Sequence, residues 1–276
     1  MARRLLRLAA LALLSALPAA LAAAPPAGAQ QAVRVRSEGI DIPAQLYKPT
    51  TPKAPAVALF HGCGGVGQNN VRMAGLLRSW GYIALVVDSF SSRGLKDVCG
   101  RNWPTQADAE KRAYDIDASL RWLDAQPFVR SGQVGFMGYS YGGGVAALRA
   151  LAPRVPARAA ILVYPDCALA EALGPKLTLP QPTMVAMGAL DDWTPVAQCR
   201  ALFDRIATGR ALLETHVYPG AHHSFDALGL PVRYLPGVGN RSKPGGCCGA
   251  HYGANEAAWT AFVGDVRAFL GRRLPL

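Results

Sequence analysis

The chain has 276 residues, of which 51% are hydrophobic, 17% are charged and 8% are aromatic, and its formal net charge is +11. A chain of this length can bury a complete core, and its high apolar content and low charge exclude a disordered protein. Its 29 glycines follow no three-residue period and no longer repeat is present, which excludes collagen-like, solenoid and propeller architectures.

The first 29 residues have the layout of a secretory signal peptide. Three arginines precede an apolar run over 8–24, and residues 27–29 read AGA, a cleavage signal. A membrane anchor is the alternative, but Pro18 interrupts the run and no later stretch approaches about 18 uninterrupted apolar residues. We therefore expect export, by a Sec or a twin-arginine route, and no stable membrane association of the mature chain. Cleavage after Ala29 removes three arginines and leaves 247 residues with a net charge of +8.

Beyond residue 31 the chain alternates strand and helix patterns. Residues 33–47 alternate polar and apolar side chains and predict a hairpin around Gly39. Short apolar runs predict buried strands at 56–60, 83–87, 134–137, 159–164, 183–187 and 212–218. Helical spacing of apolar residues predicts helices at 71–80, 107–125, 143–151, 196–206 and 255–270.

This alternation is typical of an α/β fold with a mostly parallel, doubly wound sheet and helices on both faces, preceded by an antiparallel pair. We expect one such domain over residues 30–276. The longest irregular stretch, 227–253, is expected to be a surface loop over the edge of the sheet.

The positive charge does not indicate a nucleic-acid partner. Lysines and arginines are scattered, with no basic run longer than two residues and no aromatic–basic motif. In an exported protein this pattern predicts a solvated basic surface, with a modest steering effect on anionic substrates.

The six cysteines are even in number and, on the expectation of export, reach an oxidising compartment, so we expect disulfides rather than free buried thiols. Six cysteines allow 15 pairings, among which the residues alone do not choose. Cys247 and Cys248 are adjacent, which suits neither a zinc knuckle nor a thioredoxin-type motif.

The strongest chemical signal is the sequence GYSYG at 138–142, followed by two more glycines. It lies between a predicted strand and a predicted helix, the context in which G-x-S-x-G forms a nucleophile elbow. Glycine at 138 and 142 avoids clashes in the tight turn, and Ser140 is then exposed above the sheet in strained backbone geometry. We expect Ser140 to be a nucleophile.

A serine nucleophile needs a base, and with this elbow the order along the chain is serine, acid, histidine. His222 and His223 follow the last predicted strand, where a base can lie over the serine, and both remain candidates. His216 lies inside that strand, and His251 is assigned to a loop. No metal site or cofactor is expected: Asp226 lies four residues past His222, but this loop is not an obvious helix and no third ligand is evident.

The base needs a carboxylate to orient it. Asp191 and Asp192 lie between the strand at 183–187 and the helix at 196, and either could instead cap that helix.

Acyl transfer also needs N–H donors for an oxyanion. The expected donors are the backbone N–H of Tyr141, directly after the serine, and that of Cys63 in the glycine-rich loop 61–65. We expect His61 to have a structural role behind this loop.

From residue 33 to residue 270 the chain resembles the dienelactone hydrolase family of α/β-hydrolases. The segments that carry the resemblance are HGCGG at 61–65, VDSF at 87–90, the elbow, GALDDWTP at 188–195 and HSF at 223–225. The resemblance implies an eight-stranded α/β-hydrolase sheet. It also implies that the acid is Asp191, third after the glycine, and that the base is His223, two before the phenylalanine.

The chain departs from the family pattern at the nucleophile. Members that open dienelactones carry cysteine at the elbow, whereas this chain has Ser140 and a signal for export. The resemblance therefore implies hydrolysis of a small carboxylic ester or lactone through an acyl-enzyme. The alternatives are a secreted peptidase, a polyester or lipid hydrolase, and a non-catalytic binding protein. The expected partner is a small-molecule substrate, and the protein is expected to be a monomer or small homo-oligomer.

One further residue is assigned from the same resemblance. Arg93 lies near the position at which such enzymes place an arginine for a substrate carboxylate, and it could equally be a surface arginine. Phe90, Tyr139, Tyr141 and Trp193 are candidate pocket walls or packing residues. The hydrolase topology implies disulfides Cys63–Cys99 and Cys167–Cys199, and leaves Cys247 and Cys248 unassigned.

Overall fold

The computed structural model describes residues 30–100 and 104–276. The predicted signal peptide lies outside the described residues. The strands are β1 (Gln30–Ser37), β2 (Ile40–Tyr47), β3 (Ala54–Phe60), β4 (Ile83–Val87), β5 (Val129–Tyr139), β6 (Ala160–Val163), β7 (Leu177–Thr178), β8 (Thr183–Gly188), β9 (Ile206–Thr208), β10 (Leu213–Tyr218), β11 (Arg233–Leu235) and β12 (Ala250–Tyr252). The α-helices are α1 (Gln68–Ser79), α2 (Gln106–Asp124), α3 (Tyr141–Leu151), α4 (Val196–Phe203) and α5 (Glu256–Arg273).

Eight strands form one sheet in the order β1-β2-β4-β3-β5-β6-β8-β10. β2 pairs antiparallel with β1 and with β4, and the strands from β4 onward pair in parallel. Glu38 and Gly39 join β1 to β2 with positive φ angles of 42° and 82°, which is the backbone that a two-residue hairpin turn requires. The predicted mostly parallel eight-stranded sheet is therefore confirmed.

Helices pack on both faces of the sheet. Every residue of β3 and β4 is buried, as expected for central parallel strands with both faces covered. One core cluster joins side chains of α2 and α3 to the sheet, and the other joins those of α1 and α5 to its opposite face. The carboxyl ends of the parallel strands are left for the loops that hold the polar residues described below.

The helix predicted over 196–206 is shorter in the structure. α4 ends at Phe203, and Ile206 begins β9, which pairs in parallel with β7. The apolar spacing continues through Ile206, but that residue is buried through a strand contact with Leu177, which helical periodicity does not reveal.

The stretch 227–253 lies largely at the surface, as expected, but it is not wholly irregular and does not lie over the edge of the sheet. It contains β11 and β12, which pair antiparallel, and its backbone is bonded to two other loops. Gly239 donates its N–H to the carbonyl of Cys99 at 3.0 Å, and Gly253 donates to that of His223 at 3.0 Å. These bonds draw the segment across the loops at the carboxyl ends of the strands.

Cysteines are joined as Cys63–Cys99 and Cys167–Cys199, the two pairs implied by the family topology, and Cys247 is bonded to Cys248. Such bonds are compatible with an exported protein. Among the described residues no helix is long and apolar enough to cross a bilayer.

Candidate active site

Ser140 lies at the sharp turn between β5 and α3. Its φ and ψ are 54° and −119°, a strained backbone for a residue other than glycine. A Cβ on Gly138 would lie 2.2 Å from the carbonyl oxygen of Gly142, and a Cβ on Gly142 would lie 2.3 Å from that of His61. Only glycine fits at these two positions, so the local sequence forces the serine into this sharp turn.

His223 is the histidine that reaches the serine. It lies in the loop after β10, with Nε2 2.8 Å from the Oγ of Ser140. Its Nδ1 lies 2.8 Å from Oδ2 of Asp191, in the loop after β8. All three side chains are buried. The structure thus brings together the serine, histidine and aspartate named from the sequence in one continuous chain of hydrogen bonds.

Asp191 is held by its own loop. Oδ1 accepts the backbone N–H groups of Trp193 at 2.9 Å and Thr194 at 2.8 Å, and Oδ2 faces the hydroxyl of Thr194 at 3.0 Å. These donors satisfy a buried carboxylate and leave Oδ2 aimed at the imidazole. With the proton of His223 on Nδ1, that nitrogen donates to Oδ2 and Nε2 accepts the hydrogen bond of the Ser140 hydroxyl.

The neighbouring candidates have different partners. Asp192 does not cap α4, whose N-cap is Pro195 without a side-chain bond. Instead its Oδ2 lies 2.9 Å from Nδ1 of His251, which belongs to β12 rather than to a loop. The ring of His222 lies 5.4 Å from that of His251.

The predicted oxyanion loop lies against the serine. A Cβ on Gly62 would be 3.3 Å from the Cβ of Ser140. Cys63 is held through its disulfide to Cys99 and through its carbonyl, which accepts from Val98 at 2.9 Å. Among the turn and loop hydrogen bonds of the described residues, none uses the N–H of Cys63 or that of Tyr141.

His61 supports this loop from behind. Its ring is buried and packs edge-on against Phe90, with Nδ1 2.7 Å from the carbonyl of Gly62 and Nε2 accepting the N–H of Ser89. Burial, with the nearby charge of Arg112, lowers the pKa of His61 to about 3, so the ring is neutral in this pairing.

A cavity of about 630 Å³ opens over Ser140 and His223. This volume lies within the range of small-molecule sites. Its walls combine the oxyanion loop and Tyr139, Trp193, Arg72 and Asp97 with apolar side chains of the segment that the sequence predicts as a surface loop. Those side chains are Leu228, Leu230, Leu235, Val238 and Tyr252.

Comparison with known proteins agrees with this geometry. The profile of the dienelactone hydrolase family matches residues 42–269, most of the chain. The chain belongs to the dienelactone hydrolase family. As a member of this family of hydrolases, the chain is a hydrolase that acts on a small molecule.

The individual relatives of this member of the dienelactone hydrolase family are distant in sequence. A probable 2-oxo-3-(5-oxofuran-2-ylidene)propanoate lactonase of Bradyrhizobium is 25% identical over 193 residues, covering 66% of this chain and 78% of that protein. The dienelactone hydrolase of Anabaena variabilis superposes with a TM-score of 0.62 at 20% identity, covering 89% of this chain and 98% of that one. Thermogutta terrifontis esterase 2 gives a TM-score of 0.62 at 17% identity, covering 90% and 95%. The structural neighbours share the α/β-hydrolase fold.

Two residues assigned to substrate binding in the sequence analysis lie elsewhere. Arg93 forms a two-pronged ion pair with the buried carboxylate of Asp115, at 2.8 and 2.9 Å, and does not line the cavity. Phe90 is buried between His61 and Tyr141, also away from the cavity. Arg72 is the arginine that does reach the cavity wall in the described chain.

Three residues near His223 were not identified from the sequence. The Thr194 hydroxyl lies 3.0 Å from Asp191 and 3.1 Å from Nδ1 of His223. The ring of Tyr164, a residue with a φ of 34°, lies 4.7 Å from that of His223, and its hydroxyl donates to Asp226 at 2.8 Å. Burial raises the pKa of Asp226. The spacing D-x-x-T at 191–194 is a local signal for the contact between Thr194 and Asp191. The contacts of Tyr164 with His223 and Asp226 join distant segments and have no such signal.

Proposed function

We propose that this protein hydrolyses small carboxylic esters or lactones by nucleophilic catalysis, with Ser140 as nucleophile, His223 as general base and acid, and Asp191 as the residue that orients the histidine. One observation carries the proposal: two hydrogen bonds of 2.8 Å connect Ser140 to His223 and His223 to Asp191, with the serine on a strained elbow. This is the arrangement that activates a hydroxyl for acyl transfer.

Acylation follows from the positions of these atoms. Oγ of Ser140 attacks the ester carbonyl carbon while its proton passes to Nε2 of His223. The resulting imidazolium is stabilised by the carboxylate of Asp191. The carbonyl oxygen becomes an oxyanion, for which the N–H groups of Cys63 and Tyr141 are the proposed donors. Nε2 then returns the proton to the leaving alcohol as the carbon–oxygen bond breaks, which leaves Ser140 acylated.

Deacylation uses the same groups in the reverse roles. Water loses a proton to Nε2 of His223 as it attacks the acyl carbon, and the oxyanion again receives the two N–H donors. Collapse of this intermediate returns the proton to Oγ of Ser140 and releases a carboxylic acid. The balance is one ester bond and one water consumed for one acid and one alcohol, and for a lactone both products remain on one molecule.

The lining of the cavity favours a compact substrate with an apolar part. Trp193, Leu228 and Leu235 supply apolar walls, while Arg72 and Asp97 add charged groups to the lining. The lactonase of Bradyrhizobium makes a lactone one candidate substrate, and serine at the elbow favours simple esters. Of the residues assigned from the sequence, Tyr139 and Trp193 remain in the proposed substrate site, and Arg93 and Phe90 do not.

The experiment is hydrolysis of p-nitrophenyl acetate, butyrate and octanoate and of a dienelactone, by mature protein and by Ser140→Ala. We expect turnover of the shorter esters that is lost in the variant. Preference for octanoate would instead favour a lipid or polyester hydrolase. No turnover of any substrate, with no labelling of Ser140 by a serine-directed phosphonate, would overturn the proposal and favour a binding protein.

Export is the second part of the proposal. The layout of residues 1–29 and the disulfides Cys63–Cys99 and Cys167–Cys199 support it. Expression of the whole chain in a bacterial host, followed by N-terminal sequencing of the protein outside the cytoplasm, should give a chain that begins at Gln30. A full-length chain retained in the cytoplasm would contradict it.

A further inference from the structure

Three metal-ligating side chains converge beside the triad but outside the cavity. Asp192 comes from the loop after β8, His222 from the loop after β10 and His251 from β12. One ligand atom of each lies within 4.8 Å of the others. The sequence offers His222 without an evident third ligand, because folding of the segment 227–253 is what brings His251 to this position.

The cluster is partly organised already. Asp192 accepts the backbone N–H of His251 at 2.8 Å, and its other oxygen lies 2.9 Å from Nδ1 of the same residue. The His222 ring is 5.4 Å from the His251 ring, and its Nδ1 is buried without a hydrogen-bond partner among the described residues. Buried polar atoms are normally paired, so an imidazole nitrogen that is buried without a hydrogen bond is a candidate to bind a ligand.

We propose that Asp192, His222 and His251 bind one divalent transition-metal ion of the zinc type. Two imidazoles and a carboxylate are the donor set that zinc and its neighbours favour, whereas calcium and magnesium prefer cages of oxygen. Zinc–ligand bonds of about 2.0–2.2 Å place tetrahedral ligand atoms about 3.3 Å apart. Side-chain rotations that move the ligand atoms by about an ångström therefore bring the three atoms to this spacing. Water completes the tetrahedron.

The ion reaches this position from solvent and acts on structure rather than on substrate. The side chains of Asp192 and His251 are 38% and 46% exposed, which leaves an open entry. None of the three ligands lines the cavity over Ser140. An ion at this position therefore does not touch the substrate.

Its effect is to join three segments of the active site. Asp192 directly follows the acid Asp191, and His222 directly precedes the base His223. β12 is already attached to the second of these loops, because Gly253 donates to the carbonyl of His223. A metal bond to all three segments holds acid and base at a fixed separation and stabilises the folded chain by binding it in preference to the unfolded one.

The test uses mature, untagged Ser140→Ala protein, stripped with a chelator and titrated with zinc chloride in a calorimeter. We expect one ion per chain. His251→Asn keeps an amide donor for Asp192 but removes the imidazole, and we expect it to weaken zinc binding at least about tenfold, as should His222→Gln. His216→Asn is the matched control, because His216 lies in β10 against Glu214 and Asp265, outside the cluster.

Thermal unfolding gives an independent readout. At free zinc about a hundred times the dissociation constant, the folding equilibrium should shift about 100-fold toward the folded state, with no such shift in His251→Asn. Substoichiometric binding, binding unchanged in both cluster variants, or binding lost in His216→Asn would overturn the site. The site does not rest on the proposed function, and the Ser140→Ala background keeps the two outcomes distinguishable.

Discussion

The guanidinium of Arg112 donates to the carbonyl oxygen of His61 at 2.5 Å, at the residue that begins the oxyanion loop. Arg112 is buried, and within the described chain its Nε and Nη1 have no hydrogen-bond partner. The rings of Phe90 and Tyr141 lie 5.1 and 4.8 Å from its centre. Burial lowers the pKa of Arg112 to about 10, which still leaves a cation at neutral pH. A buried cation with so few hydrogen bonds destabilises the folded state. We infer that the role of Arg112 is to position the loop 61–65.

Replacement of Arg112 should impair catalysis more than stability. In Arg112→Met the His61 carbonyl loses its donor and the N–H of Cys63 is no longer held, so we expect kcat to fall by up to about 10² with little change in KM. Removal of an incompletely paired cation raises stability and the lost hydrogen bond to the His61 carbonyl lowers it, so the free energy of unfolding should change by less than about 1 kcal/mol. Steady-state kinetics and urea unfolding measure the two effects. Arg121→Met, an exposed position on α2, should leave both unchanged, and parallel losses of stability and kcat would contradict the positioning role.

The two long-range disulfides offer a matched pair of variants. Cys63–Cys99 and Cys167–Cys199 close similar separations of 36 and 32 residues, so replacing either pair with serine should lower the free energy of unfolding by about 4 kcal/mol. Only the first pair holds the oxyanion loop. We therefore expect kcat to fall about tenfold or more in the Cys63/Cys99 double variant alone. Equal kcat values in the two folded double variants would show that this disulfide does not support catalysis.

Features encoded by neighbouring residues were predictable from the sequence. The run at 83–87 matches β4 residue for residue, and Gly39 marks the turn because that backbone needs positive φ. Contacts between distant segments were not predictable. Ile206 leaves the helical pattern to pair with Leu177, and the segment 227–253 becomes a cavity wall only because remote backbone groups bond to it.

Thr194 should matter for catalysis although it does not touch substrate. Its hydroxyl lies between Asp191, His223 and the carbonyl of Tyr164, which is 3.0 Å away. Thr194→Val keeps the shape and removes the hydroxyl, so the acid and base lose a common support and kcat should fall about 10- to 100-fold. Thr194→Ser, which retains the hydroxyl, should recover most of the rate. Equal kcat values for the two variants would assign Thr194 a packing role only.

His61 should make stability depend on pH. The pKa of this buried ring falls from 6.5 to about 3 on folding, so between these values the unfolded chain binds more protons than the folded one. Its contribution is present above about pH 6.5 and is lost as the pH falls toward 3, by up to about 1.4 kcal/mol per pH unit. Urea unfolding from pH 7 to pH 4 should therefore show a shallower slope in His61→Gln than in the wild type or in His216→Gln. Three superimposable slopes would contradict this account.

In the candidate site, too, features encoded by neighbouring residues were predictable and contacts between distant segments were not. The elbow at Ser140 is local, since the two glycines and the flanking strand and helix are neighbours in sequence. Choosing Asp191 over Asp192 and His223 over His222 needed the family resemblance, because adjacent residues of the same type carry equal signals. The contacts of Thr194 with His223 and of His251 with Asp192 depend on the folded chain.

The most direct test of the central claim is whether Ser140 carries the acyl group. Mature protein is mixed with p-nitrophenyl acetate, quenched in acid within the first turnover and digested, and the acetylated peptide is identified by mass. We predict a burst of nearly one p-nitrophenol per chain, with acetyl on Ser140, and neither signal in Ser140→Ala. Acetyl on another residue, or the same burst in Ser140→Ala, would contradict the account.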